Sequence, residues 1–143
     1  MKWIDLPPVW TIAALVLAKS LPIDAGLAKA PTFGGIVLCV AAALIGASLV
    51  EFARVKTTVI PHQDPSALIT SGIFRLSRNP IYLADLLILA GFSLIWGKFI
   101  GLVLVPVLGF VLITRFIAGE EARLHARFGP EYAAYCARTR RWI

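Results

Sequence analysis

From Phe33 to Phe52 the chain carries only small and apolar side chains until Glu51, and no other feature limits its fold as much. A helix that crosses the hydrocarbon core of a bilayer needs about 20 apolar residues, and this run supplies them. Composition points the same way. Apolar residues make up 59% and charged residues 15% of the 143 positions, and the mean hydropathy is +0.82. Ordinary soluble domains carry roughly 45–50% and 25%. A chain of this length forms one domain, residues 1–143, and a globule so small cannot bury that much apolar surface. The expected solvent is lipid. Hydrophobicity excludes disorder. Two cysteines, Cys39 in the apolar run and Cys136 near the end, neither staple a scaffold nor show metal-ligand spacing, so no metal site is expected. The net charge of +6 suits anionic lipid headgroups and cytoplasmic loops rather than nucleic acid.

Three further apolar stretches accompany the first. One begins near Pro8, runs to Leu17 and weakens at Lys19 and Pro22; a third runs from Ile81 to Trp96 with Asp85 inside it; a fourth runs from Phe99 to Ile117 and carries Pro106. Asp5 and two prolines stand where a cleavable signal peptide would be basic, so no such peptide is expected. Gly97-Lys98 leaves room only for a tight helical hairpin between the last two spans. The fold class expected is therefore all-α and integral to the membrane, with about four transmembrane helices, an interfacial inner segment and an amphipathic helical tail. Four spans place Lys2, Arg54, Lys56, Arg75, Arg78, Arg115, Arg123, Arg127, Arg138, Arg140 and Arg141 on one side, eleven cations, against Lys19, Lys29 and Lys98 on the other. Basic residues stay on the cytoplasmic side, which makes the protein multi-pass with both termini cytoplasmic, and puts any chemistry at that face.

The inner connection, Phe52 to Asn79, is too apolar for a solvated linker. Asp64-Pro65 has the form of an N-cap followed by proline at the first helical position, and Gly72 can close the short helix between. His62 lies in the same stretch. Asn79-Pro80 starts the third span in the same preferred manner, with Tyr82 at headgroup depth. Asp85 is an ionisable group inside a span, a functional candidate by default, and Arg78 is within reach as a partner. In the tail, Glu121 and His125 are at i,i+4, Glu120 and Arg123 at i,i+3, and Gly129-Pro130 ends one helix and begins another. Leu124, Phe128, Tyr132 and Tyr135 form an apolar stripe suited to lying on the membrane surface.

Three of these segments together resemble the isoprenylcysteine carboxyl methyltransferases, integral-membrane enzymes related to the phospholipid methyltransferases. They are Leu68 to Arg75, then Ser77-Arg78-Asn79-Pro80-Ile81-Tyr82, then Glu120-Glu121-x-x-Leu124-x-x-x-Phe128-Gly129-x-x-Tyr132-x-x-Tyr135. The likeness covers about residues 59–143. It implies S-adenosylmethionine as cofactor, contacted by Ser66, Ala67, Leu68, Ile69, Phe74, Asn79, Pro80, Ile81, Tyr82 and Glu120. It implies methyl transfer to a lipophilic acceptor at the cytoplasmic interface: an isoprenylated-cysteine-like carboxylate, a lipid or another small hydrophobic molecule. Arg115 stands near the family's position for a substrate-carboxylate arginine. A carboxylate or thiolate acceptor asks for little acid–base work; an amine needs a base, for which His62 and Asp85 are the candidates. Where the isoprenylcysteine enzymes carry histidine, this chain has Asn79. Asp85 matches a glutamate of the membrane sterol-type reductases, so an NADPH-dependent reductase is the alternative enzyme, and a small non-enzymatic helical protein or transporter the alternative from another class.

Overall fold

The computed structural model describes residues 6–22, 27–55 and 67–143, and among them every regular element is helical. Helix α1 spans Pro7–Ser20, α2 Pro31–Val55, α3 Pro80–Trp96, α4 Phe99–Leu112 and α5 Ala118–Arg138. A 3₁₀ turn, Gly72–Arg75, precedes α3, and a π turn, Ile113–Ile117, carries α4 into α5 without a break.

Helix α3 is the axis of the bundle and packs on α1, α2 and α4. Its contact with α2 is made through small residues. Gly34, Ala41 and Ser48, spaced by seven, are the buried stripe of α2, and a Cβ at Gly34 would lie 2.6 Å from the Gly91 carbonyl oxygen. Helices in lipid associate largely by close packing, which small residues permit. The buried hydroxyls on these faces are satisfied within their own helices, Ser48 on the Leu44 carbonyl at 2.7 Å and Ser93 on that of Leu89 at 2.6 Å. The α3–α4 connection is the tight hairpin its two residues demand. Gly97 takes φ +69°, its N–H reaches the Leu94 and Ser93 carbonyls, and the Lys98 N–H bonds Ser93 O at 2.9 Å.

The outer faces are apolar: Val9, Ile12 and Val16 on α1, Ile36, Val40 and Leu49 on α2, Val103, Val107 and Phe110 on α4 are exposed. Soluble monomers do not present such continuous apolar faces. Helix α2 and the helix that starts at Phe99 are long and apolar enough to cross a membrane; α1, with 14 residues, and α3, with 17, are shorter.

Two local expectations are corrected. The tail stripe does not lie on a surface: Tyr132 and Tyr135 are buried with Ile69 and Phe74, and Leu124 and Phe128 pack on the same cluster. The Tyr135 hydroxyl donates to the Phe74 carbonyl at 2.6 Å, so the apolar face of the tail covers the inner segment instead. Gly129, at φ +46°, does interrupt α5 before Pro130. Gly72 opens the 3₁₀ turn rather than closing a helix, and Ala67 to Thr70 are not helical; Asp64-Pro65 lies outside the described residues. The reason is Glu51, buried at the end of α2, whose carboxylate oxygen would lie 2.5 Å from a Cβ at Gly72. Glycine at φ +54° is what lets the chain cross so closely. Glu51 accepts from the Ser71 hydroxyl and, at 3.1 Å, from Arg54 Nη1. A buried acid thereby fixes the turn that carries Phe74.

Candidate active site

At the end of the bundle where α2 finishes and α3 begins lies a cavity of about 400 Å³, within the range of small-molecule sites. Phe74, Arg78, Asn79, Pro80, Ile81, Tyr82, Asp85 and Glu120 line it, and Leu6, Pro7, Pro8, Ile45 and Phe52 complete the wall from α1 and α2. Proline at the first position starts α3, and this open helix start faces the cavity. Its first N–H groups carry the positive end of the helix dipole.

Opposite it, the π turn sets the phase of the helix that follows. A wide turn of this kind shifts every later side chain around the axis, and such turns recur at functional sites. Here it brings Phe116 against Tyr82, ring centroids 6.4 Å apart and planes 24° apart, and turns Glu120 to the cavity. The Tyr82 hydroxyl donates to the Glu120 carboxylate.

The last residues of the chain hold the helix start in place. The Arg140 carbonyl accepts from the Arg78 N–H at 3.0 Å, and the Arg141 carbonyl accepts from Ser77 Oγ at 3.3 Å and Asn79 Nδ2 at 3.1 Å. The Arg141 guanidinium grips Glu121 through two bonds of 3.0 and 2.6 Å, and this pairing keeps the Arg141 pKa above its ordinary value. Trp142 packs on the core around Tyr82 and Phe116. Asn79 therefore occupies the N-cap position, but its amide is engaged by the strap and makes no side-chain cap.

Of the residues singled out from sequence, Phe74, Asn79, Pro80, Ile81, Tyr82, Asp85 and Glu120 share this one cavity. Leu68 and Ile69 pack in the cluster of Phe74, Tyr132 and Tyr135, and they and Ala67 are not part of the cavity wall. His62 and Ser66 lie outside the described residues. Arg115 places its guanidinium 5.0 Å from the Trp10 ring centroid and is not among the residues lining the cavity. The Arg78–Asp85 pairing does not form. Arg78 turns to α5, with Nη1 bonded to Cys136 Sγ and 3.6 Å from Glu121, while Asp85 turns to Thr11 of α1. Nor does Glu121 pair with His125; Arg141 and Arg78 take it, and His125 meets the edge of Tyr132. The α1 and α2 wall and Arg78 itself were missed. Their apolar members look like any lipid-facing residue, and only the cavity distinguishes them.

Two buried polar atoms remain without a partner among the described residues, Arg78 Nε and Asp85 Oδ2. Both belong to residues of the cavity wall, and buried polar atoms of this kind ordinarily have a partner.

Apolar outer faces and a ligand-sized, largely apolar cavity that holds a few polar groups at one end define a helical membrane protein with a candidate site for a small molecule. The family model described as phospholipid methyltransferase matches residues 30–131, and the chain belongs to that family, as the three segments led one to expect. No curated protein and no solved structure matches the chain. The family match omits α1 and the C-terminal strap, both of which build the site.

Proposed function

We propose that the protein transfers a methyl group from S-adenosylmethionine to a lipophilic acceptor at the cytoplasmic face of the membrane. The observation that carries this reading is the make-up of a single cavity. An open helix start, Arg78, Glu120 and three aromatic rings meet there beside an apolar wall made by Leu6, Pro7, Pro8 and Ile45. Polar groups suit a water-soluble cofactor and the apolar wall suits a molecule drawn from lipid.

When bound, S-adenosylmethionine supplies a methyl group activated by a positively charged sulfur. Arg78, whose Nε has no partner among the described residues, and the first N–H groups of α3 would hold its carboxylate. Glu120 would accept hydrogen bonds from its hydroxyl or amino groups. Phe74 and Tyr82 offer faces for a ring or a cation. The chain's contribution to rate is alignment of the reacting atoms and exclusion of water.

In this reading all four apolar helices cross, α1 and α3 being accommodated by local thinning of the bilayer. The eleven-to-three distribution of cations supports a cytoplasmic position for both termini. Calorimetric titration of the detergent-solubilised protein tests the assignment. Saturable binding of S-adenosylmethionine and S-adenosylhomocysteine, with none of NADPH, is expected. Tight NADPH binding with no response to S-adenosylhomocysteine would make it a reductase.

A further inference from the structure

At the end of the bundle away from the cavity, three lysines from three segments converge on the α3–α4 hairpin. Lys19, in the last turn of α1, sets its Nζ 5.2 Å from the centroid of the Trp96 ring. Lys29, in the segment that leads into α2, lies against Gly97, where a Cβ would meet the Leu27 carbonyl oxygen at 2.8 Å and Lys29 Cγ at 3.0 Å. That segment is fixed to the hairpin, since the Ala30 N–H bonds Leu94 O at 2.9 Å. Lys98 follows Gly97 directly. Of the 14 lysines and arginines, these are the three that the sequence assigns to this end of the spans, and all three share the hairpin.

None of the three pairs with an acid among the described residues. Asp24, the one acid between α1 and α2, lies outside the described residues. It offsets at most one charge, so the group keeps two positive charges or more whatever Asp24 does. The other acids of the chain stand in segments joined to the cavity end. Like charges held around one turn repel, and an anion among them removes that cost. The bilayer is the source of such an anion. Beside the lysines, toward the middle of the spans, Val16 and Leu17 on α1, Phe33 on α2 and Phe99 on α4 are apolar and exposed, and a tryptophan such as Trp96 is suited to headgroup depth.

We propose that Lys19, Lys29 and Lys98, gathered around Trp96, bind the headgroup of an anionic phospholipid in the leaflet opposite the candidate active site. The three ammonium groups take the phosphate, and the exposed apolar side chains beside them take the acyl chains. One anion then joins three segments of the fold, so bound lipid raises thermal stability. The site is independent of the reaction at the other end of the bundle.

The test is titration of the full chain in nonionic detergent with phosphatidylglycerol, phosphatidylcholine or inorganic phosphate, the first bound lipid being followed by mass spectrometry of the intact protein. The wild type should bind phosphatidylglycerol at least tenfold more tightly than phosphatidylcholine, and should melt at a higher temperature with it. Lys19→Gln, Lys29→Gln and Lys98→Gln should each weaken phosphatidylglycerol roughly fivefold, the worth of one cation near an anionic lipid surface, and Lys98→Arg should bind as the wild type does. A control that removes two exposed cations of α5, Arg127→Gln with Arg138→Gln, should change the affinity less than twofold. Equal affinity for the two lipids, an equal loss in the α5 control, or lysine variants that bind like the wild type would each overturn the site. Displacement of the lipid by millimolar inorganic phosphate would make this a free-anion site and overturn the lipid as its occupant.

Discussion

Glu120 and Glu121 are adjacent in sequence and do opposite things. Glu120 faces the cavity beside Tyr82, whereas Glu121 is clasped by Arg141 and approached by Arg78. Glu120→Gln should weaken S-adenosylhomocysteine binding by about 1.5–3 kcal/mol, the worth of a hydrogen bond to a charged group, with little change in thermal stability. Glu121→Gln should do the reverse, lowering the melting temperature more than the affinity; equal small effects on affinity from both would remove Glu120 from the site. Tyr135 offers a second test at this scale. Burial pushes its hydroxyl up to about 12, against the opposing pull of Arg78, and the protonated form donates to Phe74 O at 2.6 Å. A raised folded pKa means that stability is fully present below the ordinary tyrosine value near 10 and is lost as pH rises through about 12. The melting-temperature difference between wild type and Tyr135→Phe should therefore be constant below about pH 9 and vanish at high pH. A difference that does not change with pH would mean that the bond does not matter.

Among the elements, the C-terminal strap is the one whose role is least local. Five backbone and side-chain donors and acceptors of Ser77 to Asn79 and Glu121 depend on Arg140 and Arg141, and Trp142 seals the core beside them. Arg141→Ala should cost about 1 kcal/mol, since the pair is partly exposed. Removing residues 140–143 should cost clearly more and weaken S-adenosylhomocysteine binding as well, because the helix start loses its anchors. Affinity unaffected by the deletion would mean that the strap only covers the site.

The sequence made some of this legible and not the rest, for physical reasons. Asn79-Pro80 announces a helix start by local chemistry, and Gly97 and Gly129 announce breaks because only glycine adopts positive φ cheaply; all three lie where expected. Glu120 was singled out through the resemblance of the tail segment, and it lines the cavity. The π turn that aims it has no residue signature, and neither has the strap, whose residues act through backbone carbonyls that any residue could supply. Arg78 and Asp85 were paired on proximity in sequence. The structure parts them because each finds a nearer partner on another helix, Glu121 on α5 and Thr11 on α1. The tail stripe was given the wrong cover, since periodicity tells which face is apolar and not what lies against it.

For the molecule as a whole, orientation is the first consequence to check. In a variant lacking Cys39 and Cys136, single cysteines at the exposed positions Arg54 and Arg138 should react with a membrane-impermeant maleimide from the cytoplasmic side, and one at Lys29 from the opposite side. Labelling of Arg54 and Arg138 from opposite sides would mean an odd number of spans between them and would break the four-helix arrangement.

The central claim, methyl transfer to something the membrane supplies, is tested most directly with membranes that contain the protein and S-adenosylmethionine labelled in its methyl group. The measurement is the radioactivity that passes into a butanol extract. The account predicts time-dependent label in the organic phase with the wild type, reduced at least tenfold by Glu120→Gln at subsaturating cofactor. Label that stays entirely in the aqueous phase, or organic label equal in wild type and Glu120→Gln, would contradict it.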